Sequence, residues 1–320
     1  MASRRFPFPI PFGWYQVAFP GDLAPGEVTA VEYWSRELVL WRDTAGAFHL
    51  QDAFCPHLGA HLAYGGSVDG DLLTCPFHGW KFDGAGACTN IPYSQRTNRK
   101  ARVRTYPTVE RNGLVLAWYH PFEAPPQWEI PVIEEIGDPA WSDFYASSYV
   151  IRTIPQEMSE NGADPAHFRF VHGTDTVAEV EEYNTDGPCS VMLSKQTYVT
   201  PRGVTEGRID VYNYGPGFSK VWFSGIVDAV NIATTTPIDE NTTQVRFNFI
   251  VRKLDDEKLT STVADAFVNE INKQVQEDRE IWEHKTFLPS PALADTDGPI
   301  LKFRKWYSQF YAEPYEVGAS

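Results

Sequence analysis

The sequence predicts an α+β protein of two domains, an all-β domain followed by a domain with a large antiparallel sheet and helices. Three observations support this prediction. Short apolar runs separated by glycine and proline turns fill the first 120 residues. Longer alternating stretches lie between residues 189 and 252, and residues 259–284 have the apolar spacing of one amphipathic helix. A chain of 320 residues is long enough for two such domains.

The predicted strands of the first domain are short and bounded by turn residues. They are Val28–Val31, Glu37–Trp41, Ala47–Gln51, Leu72–Cys75 and Gly113–Trp118. Prolines then cluster from residue 121 to residue 131, as is typical of a linker. We therefore expect domains at residues 1–121 and 122–320.

The second domain begins with a predicted strand over residues 144–156 and helical spacing over residues 156–171. Five alternating stretches then predict the strands of one antiparallel sheet: Cys189–Val199, Val204–Tyr214, Val221–Val227, Ile232–Pro237 and Gln244–Arg252. The helix predicted over Leu259–His284 follows, with apolar residues near helical spacing from Val263 to Trp282.

Composition excludes several classes of protein. The net charge is −15 without a long basic run, which argues against a nucleic-acid-binding protein. No run of eighteen apolar residues could span a bilayer. The N-terminus is interrupted by Pro7, Pro9 and Pro11 and does not resemble a signal peptide, so we expect a cytoplasmic protein. Four cysteines are too few for a disulfide framework, which favours metal binding instead.

The first metal-binding pattern is Cys55-x-His57, seventeen residues, then Cys75-x-x-His78. Two thiolates and two imidazoles could hold zinc. One Cys and one His in each loop also suits a Rieske 2Fe–2S cluster, in which two cysteines bind one iron and two histidines the other. His61 repeats the local pattern and is expected to be a loop neighbour.

The second pattern is Asp164-x-x-His167-x4-His172. Histidines five apart diverge by about 140° on an ideal helix, so a shared metal requires the helix to widen or break between them. A non-haem iron site needs two histidines and one carboxylate. The carboxylate could be Glu277, Asp278 or Glu280, and these residues alone do not choose among them. Asp164 before proline also suits a simple helix N-cap.

Both patterns resemble those of Rieske non-haem iron oxygenases. CPHLGAHL and CPFHGW are similar to the two cluster-binding boxes of that family, and the match covers about residues 14–120. ENGADPAHFRFVH resembles its iron-binding box, and EDREIWE resembles the segment with the last carboxylate. The resemblance implies an N-terminal all-β Rieske domain and a catalytic domain of the helix-grip type, with a large antiparallel sheet flanked by helices.

The resemblance also implies roles for individual residues. Cys55 and Cys75 would hold one iron of the cluster, and His57 and His78 the other. A mononuclear Fe(II) would be held by the three residues His167, His172 and Asp278. Asp164 would accept a hydrogen bond from a cluster histidine of the adjacent subunit in a head-to-tail homotrimer. A ferredoxin or flavin-dependent reductase would supply electrons, and O2 would be the oxidant. Cys88 and Cys189 have no predicted role beyond that of buried thiols.

The C-terminal stretch from Asp297 to Tyr311 resembles the tail of 3-ketosteroid 9α-hydroxylases and cholesterol 7-desaturases. This resemblance implies a monooxygenase that hydroxylates or desaturates a bulky apolar, steroid-like substrate. An aromatic tail that only packs on the sheet would have the same sequence pattern. Alternatives are O- or N-demethylation or aromatic-ring hydroxylation on the same scaffold. A Rieske electron carrier without mononuclear iron, or a zinc-stabilised binding module, would belong to another class.

One basic cluster stands out in this acidic chain. It consists of Arg96, Arg99, Lys100, Arg102 and Arg104. Basic side chains on one segment can dock an acidic ferredoxin-type donor, or can simply form a solvated loop.

Overall fold

The computed structural model describes residues 5–200 and 203–315. Its contacts divide the chain into two compact units, one of residues 14–129 and the other of the remaining residues on both sides. The first unit extends past the boundary expected at residue 121, and the segment before Trp14 belongs to the second unit.

Residues 14–129 form an all-β unit with three small sheets. Its strands are β1 (Gly13–Ala18), β2 (Val28–Tyr33), β3 (Arg36–Arg42), β4 (Phe48–Asp52), β5 (Ser67–Asp69), β6 (Leu72–Thr74), β7 (Lys81–Asp83), β8 (Cys88–Asn90), β9 (Thr105–Tyr106), β10 (Thr108–Arg111) and β11 (Leu114–Tyr119). The strand orders are β1-β11-β10, β2-β3-β4-β9 and β5-β6-β7-β8. Strands of three residues bury little surface alone, so the sheets depend on a common core.

That core includes the two motif cysteines. Cys55 and Cys75 are buried in one apolar cluster with Trp41, Leu73 and Phe82. Leu73 and Phe82 face each other across β6 and β7, and the loop that joins these two strands contains the second motif. The packing of this hairpin therefore fixes the position of Cys75.

The second unit contains seven further strands and four helices. The strands are β12 (Tyr145–Ile151), β13 (Glu179–Asp186), β14 (Cys189–Thr200), β15 (Gly203–Tyr214), β16 (Phe218–Ser224), β17 (Ala229–Pro237) and β18 (Thr243–Val251). The helices are α1 (Pro155–Asn161), α2 (His167–Phe170), α3 (Glu257–Trp282) and α4 (Ile300–Tyr307).

All seven strands form one antiparallel sheet in the order β12-β18-β17-β16-β15-β14-β13. Helix α3 begins where the Asp256 side chain accepts a hydrogen bond from the backbone N–H of Leu259 (3.0 Å). Its apolar face lies on the sheet: Phe267 meets Phe223 at 5.2 Å and Phe249 at 5.8 Å between ring centroids. A long helix on a curved sheet encloses space between the two, and this space contains the site.

The predicted fold class is confirmed, with differences in detail. Five of the eleven strands described in the first domain were predicted, and the strand predicted over residues 144–156 ends at Ile151. The sequence did not predict β13, which is exposed along most of its length, nor α4, whose aromatic residues were interpreted as a tail. The helical segment predicted over residues 156–171 consists of two short helices with a break at residues 162–166. Within the residues described, no helix is both long and apolar enough to cross a membrane.

Candidate metal centres and the adjoining cavity

The two Cys-His motifs fold into equivalent turns. The backbone N–H of Cys55 donates to the carbonyl oxygen of Ala60 at 2.9 Å. The N–H of Cys75 donates in the same way to the carbonyl of Trp80 at 2.8 Å. Each turn therefore presents its cysteine at the start and its histidine at the tip.

Glycines at positive φ close both turns. Gly59 has φ +76° and Gly79 has φ +69°, a conformation that other residues adopt only with strain. The turns bring the His57 and His78 rings together, with centroids 4.7 Å apart. The Nδ1 atom of His78 is enclosed and has no hydrogen-bond partner. An enclosed imidazole nitrogen without a partner is suited to a metal ligand.

Trp80 supports the first of these histidines. Its indole stacks on the His57 ring at 4.4 Å with an interplanar angle of 9°. Its Nε1–H donates to the hydroxyl of Tyr93 at 2.8 Å, which fixes the orientation of the indole. The motif spacing did not indicate this role, although Trp80 is the last residue of the CPFHGW box.

The motif cysteines form a buried thiol pair. Burial, and to a smaller extent the neighbouring Cys75 thiol, raises the pKa of Cys55 to about 11, and the backbone N–H of His57 opposes the shift. Deprotonation therefore needs a positive partner such as iron. Two buried sulfurs beside two adjacent imidazoles fit the donor set of a 2Fe–2S cluster with mixed ligands.

The second group of candidate ligands depends on where the second short helix ends. Helix α2 starts at His167 and ends at Phe170, so His172 lies beyond its C-terminus. The two imidazole rings lie 5.3 Å apart at 82°. The end of α2 at Phe170 thus lets two histidines approach each other that a continuous helix would turn apart.

One nitrogen or oxygen atom from each of His167, His172 and Asp278 lies within 4.8 Å of the other two. The Nε2 of His172 is 3.4 Å from Asp278 Oδ2, and the Asp278 side chain is buried in the last turns of α3. Two imidazoles and one carboxylate form the facial donor set that holds non-haem iron with open positions. The residues present therefore fit a mononuclear iron.

Hydrogen bonds fix the orientation of both imidazoles. The Nδ1 of His167 lies 2.5 Å from the backbone carbonyl oxygen of Asp164, which can only accept, so Nδ1 carries the proton and Nε2 is left for a metal. The Nδ1 of His172 lies 3.0 Å from Glu277 Oε2, with the same consequence. Glu277, which the sequence offered only as a possible ligand, orients His172. The side chain of Glu280 is 84% exposed and lies beside His284.

The Asp164 carboxylate stabilises the turn that leads into the second short helix. Its Oδ1 accepts hydrogen bonds from the backbone N–H groups of Ala166 (2.9 Å) and His167 (3.3 Å). These bonds stabilise the turn that precedes the two histidines. Asp164 therefore positions His167 through both its carboxylate and its carbonyl oxygen.

The two histidines have opposite pKa shifts. Burial lowers the pKa of His167, although the nearby Asp278 carboxylate opposes it. Burial also lowers the pKa of His172, but Asp278 and Glu277 outweigh this effect, so the pKa of His172 is raised overall. The negative charges of Asp278 and Glu277 stabilise a protonated, positively charged His172. They would stabilise a bound metal cation for the same electrostatic reason.

A cavity of about 600 Å³ extends from these ligands between α3 and the sheet. Its walls are mostly apolar. They include Val263, Phe267, Ile271 and Val275 of α3 on one side and Val221 of β16 on the other. Val263 and Asp278 both line it and lie fifteen residues apart, which is about 22 Å along a helix. The cavity is therefore elongated and has the metal ligands toward one end.

The basic cluster of the sequence is only partly available at the surface. Arg96, Arg99, Lys100 and Arg102 are exposed. Arg104 is directed inward, and its Nη2 donates to the backbone carbonyl of His120 at 2.7 Å. We therefore correct the cluster to four exposed residues.

Comparisons with known proteins agree with this architecture. Residues 13–107 match the Rieske 2Fe–2S domain, and residues 117–311 match the 3-ketosteroid 9alpha-hydroxylase C-terminal domain. The chain is 31% identical to a 3-ketosteroid-9-alpha-monooxygenase oxygenase component of Rhodococcus rhodochrous, over 95% of this chain and 85% of that protein. It is 32% identical to the cholesterol 7-desaturase of Caenorhabditis elegans, over 95% and 77% respectively.

Solved structures share the fold at lower sequence identity. Dicamba monooxygenase bound to dicamba superposes with a TM-score of 0.71 at 21% identity, covering 93% of this chain and 96% of the other. NdmA of Pseudomonas putida CBB5 superposes with a TM-score of 0.73 at 21% identity, covering 92% and 88%. The family resemblance of the sequence motifs is thereby confirmed. The domain match over more than half the chain, with relatives above 30% identity, shows that this chain belongs to the Rieske non-haem iron oxygenases, enzymes with a 2Fe–2S cluster and a mononuclear iron.

Proposed function

We propose that this chain is the terminal oxygenase of a monooxygenase system that hydroxylates or desaturates a bulky apolar, steroid-like molecule. The observation that carries the proposal is the elongated apolar cavity that reaches His167, His172 and Asp278. Its volume, about 600 Å³, is in the range of small-molecule sites and suits a rigid polycycle. The relatives that match almost the whole chain are named for steroid and cholesterol oxidation.

The geometry of the two centres supports the ligand sets of our proposal. Cys55 and Cys75 would hold one iron of the cluster, and His57 and His78 the other. The three residues His167, His172 and Asp278 would hold the mononuclear iron. The unit of residues 14–129 would then form the electron-transfer domain and the other unit the catalytic domain.

The bound cluster would relay electrons and the bound iron would activate dioxygen. The protein positions the metal ligands and the substrate and excludes water from the site. Asp164 and Glu277 hold the two imidazoles through their Nδ1 atoms. Val275 and Trp282 are buried in one apolar cluster beside the iron ligands. Apolar walls hold an unactivated C–H group near the iron ligands, because they offer few competing polar contacts.

Electron delivery involves partners in our proposal. A ferredoxin or flavin-dependent reductase would reduce the cluster, and O2 would be the oxidant. Asp164 would link the cluster of one subunit to the iron of the next in a head-to-tail homotrimer, a closed heterologous assembly. Its carboxylate lies next to His167 in the chain fold, as such a bridge requires.

Product analysis tests the proposal. Purified enzyme with a reductase system should consume O2 in step with steroid turnover and yield a hydroxylated or dehydrogenated product by mass spectrometry. Formaldehyde from an O- or N-methyl compound, without steroid oxidation, would favour the demethylase alternative. Ring hydroxylation of an aromatic acid without steroid oxidation would favour the third alternative.

Metal analysis separates the proposal from an electron carrier. About three irons and two sulfides per chain are expected for a cluster plus a mononuclear iron. About two of each, unchanged after Fe(II) reconstitution, would leave an electron carrier. A colourless protein that contains zinc would overturn both.

A further inference from the structure

Most polar side chains around the cavity already have protein partners. The Nδ2 of Asn213 donates to Ser190 Oγ at 2.9 Å, and its Oδ1 accepts from Ser219 Oγ at 2.6 Å. The Oδ1 of Asn161 accepts from the indole N–H of Trp282 at 3.3 Å. The side-chain amides of Asn213 and Asn161 are therefore fixed by hydrogen bonds within the cavity wall.

Gln196 on β14 is different. Its side chain lines the cavity, the residue is 2% exposed, and its Nε2 is enclosed without a hydrogen-bond partner. Among the described residues that line the cavity, Gln196 alone has an enclosed side-chain nitrogen or oxygen atom without a hydrogen-bond partner. A buried donor without an acceptor is unfavourable and rare in folded proteins, so it requires a physical explanation.

The strand register explains why no neighbouring side chain serves as its acceptor. Gln196 pairs with Gly207 on β15. Gly225, which follows β16, packs directly on Gly207, since a Cβ added at Gly225 would lie 2.7 Å from Gly207 Cα. Two glycines therefore occupy the adjacent positions where a polar side chain could have accepted from the amide.

Gln196 also lies away from the iron ligands. Gly162, between α1 and His167, packs against Val211 of β15, with an added Cβ 3.5 Å from Val211 Cγ1. Gly207, opposite Gln196, is four residues from Val211, which is about 13 Å along a strand. The unpartnered amide and the metal centre therefore lie toward different ends of the cavity.

We propose that Gln196 is a specificity-determining residue whose amide donates a hydrogen bond to an oxygen atom of the substrate. This inference rests on the proposed oxidation of a bulky apolar substrate in this cavity. It assigns to Gln196 the recognition of a ketone or hydroxyl oxygen at the end of the substrate away from the C–H bond that is oxidised. A site built around one donor favours such a molecule over the parent hydrocarbon, which would leave the donor without an acceptor.

Binding to matched ketones and hydrocarbons tests this role. Equilibrium dialysis of the holoenzyme would compare androstan-3-one and androstan-17-one with androstane, and fluorenone with fluorene. The wild type should bind at least one androstanone, and fluorenone, about tenfold more tightly than the parent hydrocarbon. Gln196→Met, which keeps the side-chain length, should lose this preference by weakening the ketones and leaving the hydrocarbons unchanged.

Stability distinguishes specificity from a structural role. Q196M removes an unpartnered buried donor, so the thermal midpoint of the free holoenzyme should stay equal or rise. The matched control is Gln274→Met on the opposite wall, where Nε2 donates to Glu270 Oε1 at 3.3 Å. Q274M should retain the ketone preference. Gln196→Leu provides a second apolar variant if Q196M folds poorly.

The outcomes separate this inference from the proposed function. A wild type without ketone preference in either pair, or a preference that survives in Q196M, overturns the role of Gln196. If the steroids do not bind but fluorenone is preferred over fluorene and this preference depends on Gln196, the steroid proposal is overturned and the role of Gln196 is supported. Failure of both pairs to bind at all overturns both.

Discussion

The Nδ1 atom of His172 lies 3.0 Å from the Oε2 atom of Glu277, the residue directly before Asp278 on α3. Two adjacent residues of one helix thus contact the two nitrogens of one imidazole, since Asp278 Oδ2 is 3.4 Å from Nε2. The carboxylate on Nδ1 fixes the tautomer and makes Nε2 a better ligand. Glu277 is therefore a positioning residue for the iron site.

Glu277→Ala should weaken Fe(II) binding by about 10- to 100-fold, because His172 loses the acceptor that orients it. Competition with an Fe(II) chelator measures the affinity, and the visible spectrum of the cluster should not change. Glu280→Ala is the matched control, since that side chain is exposed and lies away from the site. Equal affinities for E277A and E280A would contradict the role of Glu277.

Asp278→Ala should abolish the mononuclear site and leave the cluster intact. Iron should fall from about three to about two per chain at constant sulfide, since the third donor is lost. Iron and acid-labile sulfide analysis measures this change. An unchanged iron content in D278A, combined with a loss in a Glu277 variant, would reassign the carboxylate ligand.

Gly298→Ala should destabilise the loop that carries Asp164. Gly298 has φ +76°, and a Cβ there would lie 2.6 Å from Pro165 Cδ and 2.8 Å from the Ala163 carbonyl oxygen. We expect a loss of about 1–3 kcal/mol in unfolding free energy and a lower iron content. Gly137→Ala is the control, because Gly137 has φ +85° with no atom within 4 Å. Equal losses would show that backbone strain alone matters.

Glu157→Gln should change how stability depends on pH. Burial raises the pKa of Glu157, although Lys285 Nζ at 2.6 Å opposes the shift. A carboxyl with a raised folded-state pKa contributes stability below its unfolded pKa and loses that contribution as pH rises. The melting temperature of E157Q relative to wild type should therefore increase by on the order of 2 °C from about pH 5 to about pH 8.

Glu283→Gln is the control, because the pKa of Glu283 is shifted in the opposite direction to that of Glu157. Burial raises the pKa of Glu283, but the backbone N–H of Arg152 and the Arg279 guanidinium outweigh it and lower the pKa overall. Its contribution is present above the unfolded pKa and is lost as pH falls. The melting temperature of E283Q relative to wild type should thus become more negative as pH rises from about 3 to about 5 and change little above that range, because a carboxyl with a lowered pKa titrates below its ordinary value of about 4.3. If the melting-temperature differences of E157Q and E283Q changed with pH in the same direction, the opposite pKa shifts assigned to Glu157 and Glu283 would be refuted.

Charge reversal in the exposed basic cluster should slow electron delivery. We expect R99E/K100E to lower kcat/KM for an acidic ferredoxin donor about tenfold at low salt and to reduce its dependence on ionic strength. The double variant K258E/K302E, with exposed changes on α3 and α4 and the same change in net charge, is the control. Wild-type turnover that does not respond to salt would exclude this docking surface.

The sequence predicted the fold class because its patterns are local. Alternation between residues 189 and 252 predicted five strands of the large sheet, all present as β14 to β18. Strand β13 was missed because most of it is exposed and it lacks an apolar face. Helix α4 was missed because its aromatic residues, such as Phe303 and Trp306, are spaced for a helix too short to be distinctive.

The sequence by itself determined the donor types: two Cys-His motifs, two histidines five apart and three carboxylates on one helix. Tertiary structure decided which of them meet. The end of α2 at Phe170 lets His172 reach α3, and the rotation of α3 directs Asp278 to Nε2, Glu277 to Nδ1 and Glu280 to solvent. Spacing specifies neighbours along one element, whereas contacts between elements depend on how those elements pack. The partners of His172 and the enclosed, unpartnered Nε2 of Gln196 could therefore be seen only in the folded chain.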